Sequence, residues 1–280
     1  MAWQGSLALA YSRDEIHGAA RTVVHDRHDG PLRVLASLYP EAPVVCHNVL
    51  VHPPGGLVGG DVLDIEVTLA RDAHALITTP GATRFYRSTG APARQRLRAT
   101  LADGARFEWL PLETLAYSGC IAENLMQFTL APGAEMMGWD MLALGLPASD
   151  QGYTRGRYTQ SIELPGRWLE RGAIDGADTR LLNSPLGWAG HRVMGTLWFA
   201  AGQAVSTPRR DALLDAARSV VDADGLHLSA GVTAVHDGIV VLRVLAPRVE
   251  PAMALLTGVW KIWRASAWQL EPCTPRVWRT

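Results

Sequence analysis

Four side chains able to bind a metal fall in one short segment, Cys46-His47-Asn48-Val49-Leu50-Val51-His52-Pro53-Pro54-Gly55-Gly56-Leu57-Val58-Gly59-Gly60-Asp61. Imidazole suits nickel and thiolate can also bind it, so Cys46, His47, His52 and Asp61 are candidate ligands. If the run through Cys46 and His47 is a strand, those two side chains leave on opposite faces. The competing reading is therefore a packed loop with hydrogen-bonded histidines. Pro53 and Pro54 are stiff, because each ring locks φ and restricts the residue before it. Gly55, Gly56, Gly59 and Gly60 permit left-handed or crowded backbone. A tight loop between two strands is expected. A glycine-rich phosphate cradle is disfavoured, since no helix is predicted to follow.

Glu108 and Glu113 lie in Phe107-Glu108-Trp109-Leu110-Pro111-Leu112-Glu113-Thr114. With Asp140 they could serve as the acids of a carbohydrate-active β-helical hydrolase, although spacing alone does not give glycosidase geometry. The alternative is solvated or salt-bridged strand carboxylates. In Thr78-Thr79-Pro80-Gly81-Ala82-Thr83-Arg84-Phe85-Tyr86-Arg87-Ser88, Pro80-Gly81 predicts a turn, with positive φ open to the glycine. Beyond it, Arg84 and Tyr86 share one face and Phe85 and Arg87 the other. Such mixing of ring and charge suits an internal polar network or a protein interface. His191, His227 and His236 are scattered, without ligand spacing. Neither a GxxxxGK[ST] P-loop, a GxSxG elbow nor an HExxH helix is present.

The elements that must hold these residues are mostly strands. Leu63, Ile65 and Val67 alternate with Asp64, Glu66 and Thr68, the period of a half-buried strand over 62–69. Further strands are predicted at 44–51, 75–79 and 105–110, punctuated by Asp-Gly turns at 103, 175, 224 and 237. Two helices are predicted in the last third. One spans 208–222, with Thr207 as cap and Pro208 in the first position. The other spans 250–267, with Leu255, Leu256, Val259, Ile262 and Trp263 on one side. That apolar helix is expected to be exposed and to make the isolated chain poorly behaved. No long linker and no clean internal repeat is apparent, so residues 1–280 read as one domain.

The chain is 48% hydrophobic and 19% charged, with a net charge of −1. That composition is globular and gives no basic surface for nucleic acid. Three dispersed cysteines argue against a disulfide framework and fit a reducing cytoplasm. No apolar run reaches the roughly 20 residues of a membrane span. Lys261 is the sole lysine beside many arginines, and arginine suits protein interfaces.

The His52–Asp61, Thr78–Ser88 and Phe107–Thr114 segments, in this order, resemble the HPPGG-x-x-GGD, TTPGA-[TK]-[KR]-FYRS and LEWLPQET stretches of the urease accessory protein family UreD, also called UreH. Leu38-Tyr39-Pro40-Glu41, Gly138-Trp139-Asp140 and the ending Pro275-Arg276-Val277-Trp278-Arg279-Thr280 are similar to the family too. Thr79, Pro80, Gly81, Arg84, Phe85, Tyr86, Arg87, Trp109, Pro275, Arg276 and Trp278 thereby become structural or partner-binding candidates. Leu112 stands where the family usually has glutamine, and Leu146 where it usually has arginine. The resemblance implies a mainly β protein, wound as a helical two-layer β-structure with about two helices in the C-terminal third. It also implies a non-enzymatic role: bridging UreF, and through it the GTPase UreG, to the urease apoprotein. No tightly bound cofactor is implied, only transient nickel on a path for which Cys46, His47, His52, Asp61, Glu108 and Glu113 are the candidate contacts. Arg84 and Tyr86 would border that path. A metal-free protein-binding module is the remaining alternative.

Overall fold

The computed structural model describes residues 2–16 and 18–279. In chain order the strands begin with β1 (Gln4–Ile16), β2 (Ala19–Asp29), β3 (Arg33–Val34), β4 (Val45–Val51), β5 (Val62–Leu69) and β6 (His74–Thr78). They continue with β7 (Thr83–Phe85), β8 (Ala93–Leu101), β9 (Arg106–Leu110), β10 (Thr114–Ala116), β11 (Ile121–Leu130), β12 (Glu135–Leu144), β13 (Arg157–Leu164) and β14 (Trp168–Asp175). Then follow α1 (Thr179–Asn183), β15 (Val193–Ala201), α2 (Thr207–Asp222), β16 (Ala230–His236), β17 (Ile239–Ala246) and α3 (Val249–Trp268).

The strands form two large sheets. The outer sheet has the order β14-β13-β11-β8-β5-β1-β2, and the central sheet β16-β17-β15-β12-β9-β6-β4-β3, with β10 and β7 attached beside β12. From β4 to β13 the chain alternates between central and outer sheet, apart from the short β7 and β10. Within each sheet successive members pair in parallel. This is the helical two-layer β-winding, with each coil giving one strand to each layer.

The coils close at one end through a repeated turn that the sequence reading overlooked. Thr68-Leu69-Ala70-Arg71-Asp72-Ala73, Thr100-Leu101-Ala102-Asp103-Gly104-Ala105 and Thr129-Leu130-Ala131-Pro132-Gly133-Ala134 share the pattern T-L-A-x-x-A. In each the last alanine N–H donates to the carbonyl of the first alanine. Asp103-Gly104 is therefore a crossing between sheets and not a hairpin, whereas Asp237-Gly238 does join the antiparallel pair β16–β17.

Burial follows from layering. β5 alternates as predicted, with Leu63, Ile65 and Val67 each 1% exposed. β6 and β12 are buried along almost their whole length, as befits strands covered on both faces. One core lies between the sheets and includes Leu63, Leu97, Phe107, Trp109, Phe128 and Trp198. A second lies between the central sheet and α2 and α3, including Leu76, Trp139, Leu197, Leu213, Leu255 and Trp263.

The helices match the predicted segments with two corrections. Ser206, not Thr207, occupies the N-cap of α2 and makes no side-chain cap bond; Thr207 already lies in the helix. α3 is not an exposed apolar helix. Leu255, Leu256, Val259, Trp260 and Trp263 are buried against the sheet, each worth roughly 1.5–3 kcal/mol, and of the predicted stripe Ile262 stays accessible. The tail returns over this layer. The Trp278 ring lies 5.1 Å from Trp139 and 5.7 Å from Trp260, and its Nε1–H donates to Thr78 Oγ1.

Candidate functional site

Opposite the T-L-A-x-x-A turns, the C-terminal ends of central strands run into long loops that stack on one another. Leu57 N–H donates to the Arg84 carbonyl and Tyr86 N–H to the Leu57 carbonyl; Tyr117 N–H donates to the Phe85 carbonyl. Two of the glycines are fixed by this stacking. A Cβ on Gly56 would meet Tyr86 Cε2 at 2.3 Å, and one on Gly59 would meet Ser88 Oγ at 2.3 Å. Asp61 closes the first loop by accepting the Val58 N–H and ties in the start of the chain by accepting the Trp3 N–H. At Pro80-Gly81 the turn is held by Thr79 Oγ1, which donates to the Gly81 carbonyl and accepts from Leu112 N–H. Gly81 does not use the positive φ open to it. Phe85 is buried, whereas Arg87 is exposed, so the two do not share one environment. The segments that resemble family hallmarks thus adjoin at one end of the winding.

The two faces of the central sheet carry different polar chemistry. On the helix face, Glu108 is fully buried. It accepts from His74 Nε2 at 2.8 Å, Trp260 Nε1 at 2.7 Å and Arg264 Nε at 3.2 Å. Arg264, also fully buried, donates from Nη2 to both Glu41 oxygens at 2.7 Å and from Nη1 to the Glu271 carbonyl. Glu41 in turn pairs with His47 Nε2 at 2.6 Å. Burial alone would push the Glu108 carboxyl up; His74, Arg264 and the Trp260 N–H outweigh it and hold the group at about 2. The result is a closed network in which each Arg264 nitrogen has an acceptor. Glu108 is salt-bridged, as one reading had it, but it is not solvated.

Between the sheets lies a second polar row. Gln95, Asn124 and Gln160 are neighbours in register on β8, β11 and β13, pointing inward among apolar residues. Facing them, Asp140, Thr196 and Arg243 are in register on β12, β15 and β17. Asp140 accepts from Asn124 Nδ2 at 3.0 Å and Gln160 Nε2 at 2.6 Å, while Gln95 Nε2 reaches Asn124 Oδ1 at 3.4 Å. At the far edge Arg243 Nε donates to Glu170 at 3.0 Å. Burial drives the Asp140 carboxyl up, and the Glu170 charge adds to it, against the Asn124 hydrogen bond; the group titrates at about 7. Thr196 Oγ1, Trp109 Nε1 and Trp198 Nε1 are buried on this side without a hydrogen-bond partner among the described residues.

The sequence-derived residues are therefore divided. Cys46 points between the sheets, where its thiol meets Asn48 Oδ1 at 3.4 Å, and His47 points to the helix face, as strand alternation requires. His52 borders the glycine loop, and burial lowers its imidazole's proton affinity against the raising effect of Asp61. Glu113 sits half-buried in a loop. Glu108 and Asp140 occupy opposite faces of one sheet, so the hydrolase acids do not converge. Among the described residues, no three of His, Cys, Asp and Glu come together as a metal cage. Leu146 borders a cleft that also holds Arg192 and Arg248, so guanidinium groups are present beside that altered position.

Sequence reasoning missed Gln95, Asn124, Gln160, Thr196, Glu170 and Arg243. A signal was available. Ala93-x-Gln95-x-Leu97, Ala122-x-Asn124-x-Met126 and Tyr158-x-Gln160-x-Ile162 each place one amide at the second inward position of an otherwise apolar strand.

A sequence profile described as UreD urease accessory protein matches residues 4–279. The chain belongs to the UreD family. Among its relatives, a urease accessory protein UreD of Leptothrix cholodnii is 61% identical over 280 residues, with both chains covered in full. The UreD of Variovorax paradoxus is 59% identical, again over the full length of both chains. The UreD of Paracidovorax citrulli is 59% identical over 278 residues, 99% of each chain. Family membership therefore rests on the whole length of the chain and not on the hallmark loops alone.

Proposed function

We propose that this chain is a non-catalytic scaffold of urease maturation in the cytoplasm. In this reading it bridges UreF, and through it UreG, to the urease apoprotein, and gives nickel a route between them. The observation that carries the reading is the polar row between the sheets. It runs from Gln95 at the long-loop end, through Asn124, Asp140 and Gln160, to Glu170 and Arg243 at the opposite edge. A conduit must offer weak, successive contacts, because a closed cage of strong ligands retains its ion. Neutral amides, one carboxyl titrating at about 7 and a Glu170 carboxylate already held by Arg243 meet that need. Near neutral pH, Asp140 can give up a proton as a cation arrives and take it back as the cation leaves. In the sealed Glu108 network, by contrast, each Glu108 oxygen already accepts two hydrogen bonds and is closed to a passing ion.

Partner binding is supported by the long-loop end. Arg84, Arg87 and Arg155 are exposed there without an ion pair among the described residues. On the outer sheet Arg94, Arg96 and Arg98 each face a carboxylate of the neighbouring strand. Unpaired arginines flanked by aromatic residues suit a protein surface with acidic groups. The described helices include none long and apolar enough to cross a membrane. The test is co-purification of the chain with UreF and apo-urease, followed by metal analysis of the urease. The reading expects a ternary complex whose urease gains nickel only when this chain is present. Complex formation with no effect on nickel would leave a metal-free binding module; no complex at all would refute the scaffold.

A further inference from the structure

The cavity at the mouth of the polar row carries its own chemistry. It has a volume of about 220 Å³ and is walled by His52, Gly55, Gly56, Arg84, Gln95 and Trp109, among others. Trp109 is 2% exposed, and its Nε1–H has no acceptor among the described residues. His52 Nε2 is likewise buried and without a partner. The Arg84 guanidinium stands at the rim, 3.9 Å from where a Cβ on Gly55 would sit, and has no ion pair.

We propose that this cavity is a binding site for a small oxyanion of the carboxylate class. The indole and guanidinium groups are donors only and have no lone pair for a metal ion. A buried donor left unmatched is costly, so the pocket is complementary to a ligand that supplies acceptors. A planar two-oxygen anion meets both demands: one oxygen accepts from the Trp109 indole, and the other pairs with Arg84 in a charge-assisted contact. His52, which also lines the cavity, is a further donor in its Nε2–H tautomer. The glycine loop leaves room for such a ligand, because Gly55 and Gly56 add no side chain to the cavity. This site stands apart from the nickel reading, since its donors suit an anion whether or not a cation passes behind them.

The test is NMR of the full-length chain labelled with nitrogen-15 in its tryptophan indoles. Sodium formate is titrated against sodium chloride at constant ionic strength. One indole N–H resonance, identified by its loss in Trp109→Phe, should move saturably with formate. Arg84→Gln should weaken that response by roughly tenfold or more, the weight of one charge-assisted hydrogen bond. If Trp109→Phe does not fold, Arg84→Gln, an exposed position, still decides the matter, because its effect is read on whichever indole responds in the parent chain. No saturable movement, an equal response to chloride, an unchanged response in Arg84→Gln, or movement with nickel chloride instead of formate would each overturn the site.

Discussion

The helix face and the inter-sheet face of the central sheet are separated by the thickness of one strand, yet they treat buried polar groups in opposite ways. On the helix face, two carboxylates, one guanidinium and two imidazoles form a network in which every member is hydrogen-bonded to another. Between the sheets, the Asp140 carboxyl is met by neutral amides, and several hydroxyl and indole groups have no hydrogen-bond partner among the described residues. Full pairing fixes the C-terminal helix on the sheet. Incomplete pairing leaves capacity for something from outside. Polar burial alone does not mark a functional interior; the residual hydrogen-bonding capacity does.

The largest expected effect is on the paired side. Glu108→Ala leaves Arg264 with one fewer counter-charge and strands the Trp260 N–H and His74. It should cost about 3–5 kcal/mol in urea unfolding. Asp140→Asn should cost much less, and equal losses at the two positions would erase the contrast.

The faces should also respond to pH with opposite signs. Glu108 is held below its ordinary value, at about 2, so its contribution is present above about 4.5 and is lost as pH falls toward 2. Asp140 is held above its ordinary value, at about 7. Its contribution is complete below about 4, is lost as pH rises to about 7, and is level beyond. Denaturation midpoints of Glu108→Gln and Asp140→Asn against the parent chain, from acid to mildly alkaline pH, check both signs. Differences of the same sign would contradict the assignment.

Smaller effects locate the boundaries of the comparison. Gly56→Ala drives a methyl into Tyr86 and should cost about 1–3 kcal/mol while shifting the stacked loops. Arg94→Ala removes a partly exposed pair with Glu123 and should change stability by no more than about 1 kcal/mol. Thermal melts of both variants suffice.

Local pattern made part of this legible. The alternation of Leu63, Ile65 and Val67 gave β5 and its buried face, and the stripe from Leu255 to Trp263 gave α3. What local pattern does not encode is the layer to which a strand belongs. Glu108 in Phe107-Glu108-Trp109 has the alternation of a solvent-facing residue, but its outward side is covered by α3, about 150 residues later in the chain by its bonds to Trp260 and Arg264. Hidden in a different way, Asn124 and Gln160 read as isolated amides until parallel pairing sets them beside Gln95. The T-L-A-x-x-A turns were short enough to pass for chance, and only the coil period gives them meaning. The glycine loop is tight, as Pro53-Pro54 and the glycine pairs imply, and Gly56 and Gly59 are demanded by close neighbours.

The most direct measurement is the nickel content of urease matured with Asp140→Leu in place of the parent chain, at matched levels of the folded variant. Removing the Asp140 carboxyl from the inter-sheet row should leave capture of UreF and apo-urease intact while the nickel delivered falls to a small fraction. Urease loaded to the parent level by that variant would contradict the claim that the space between the sheets is the working face of the molecule.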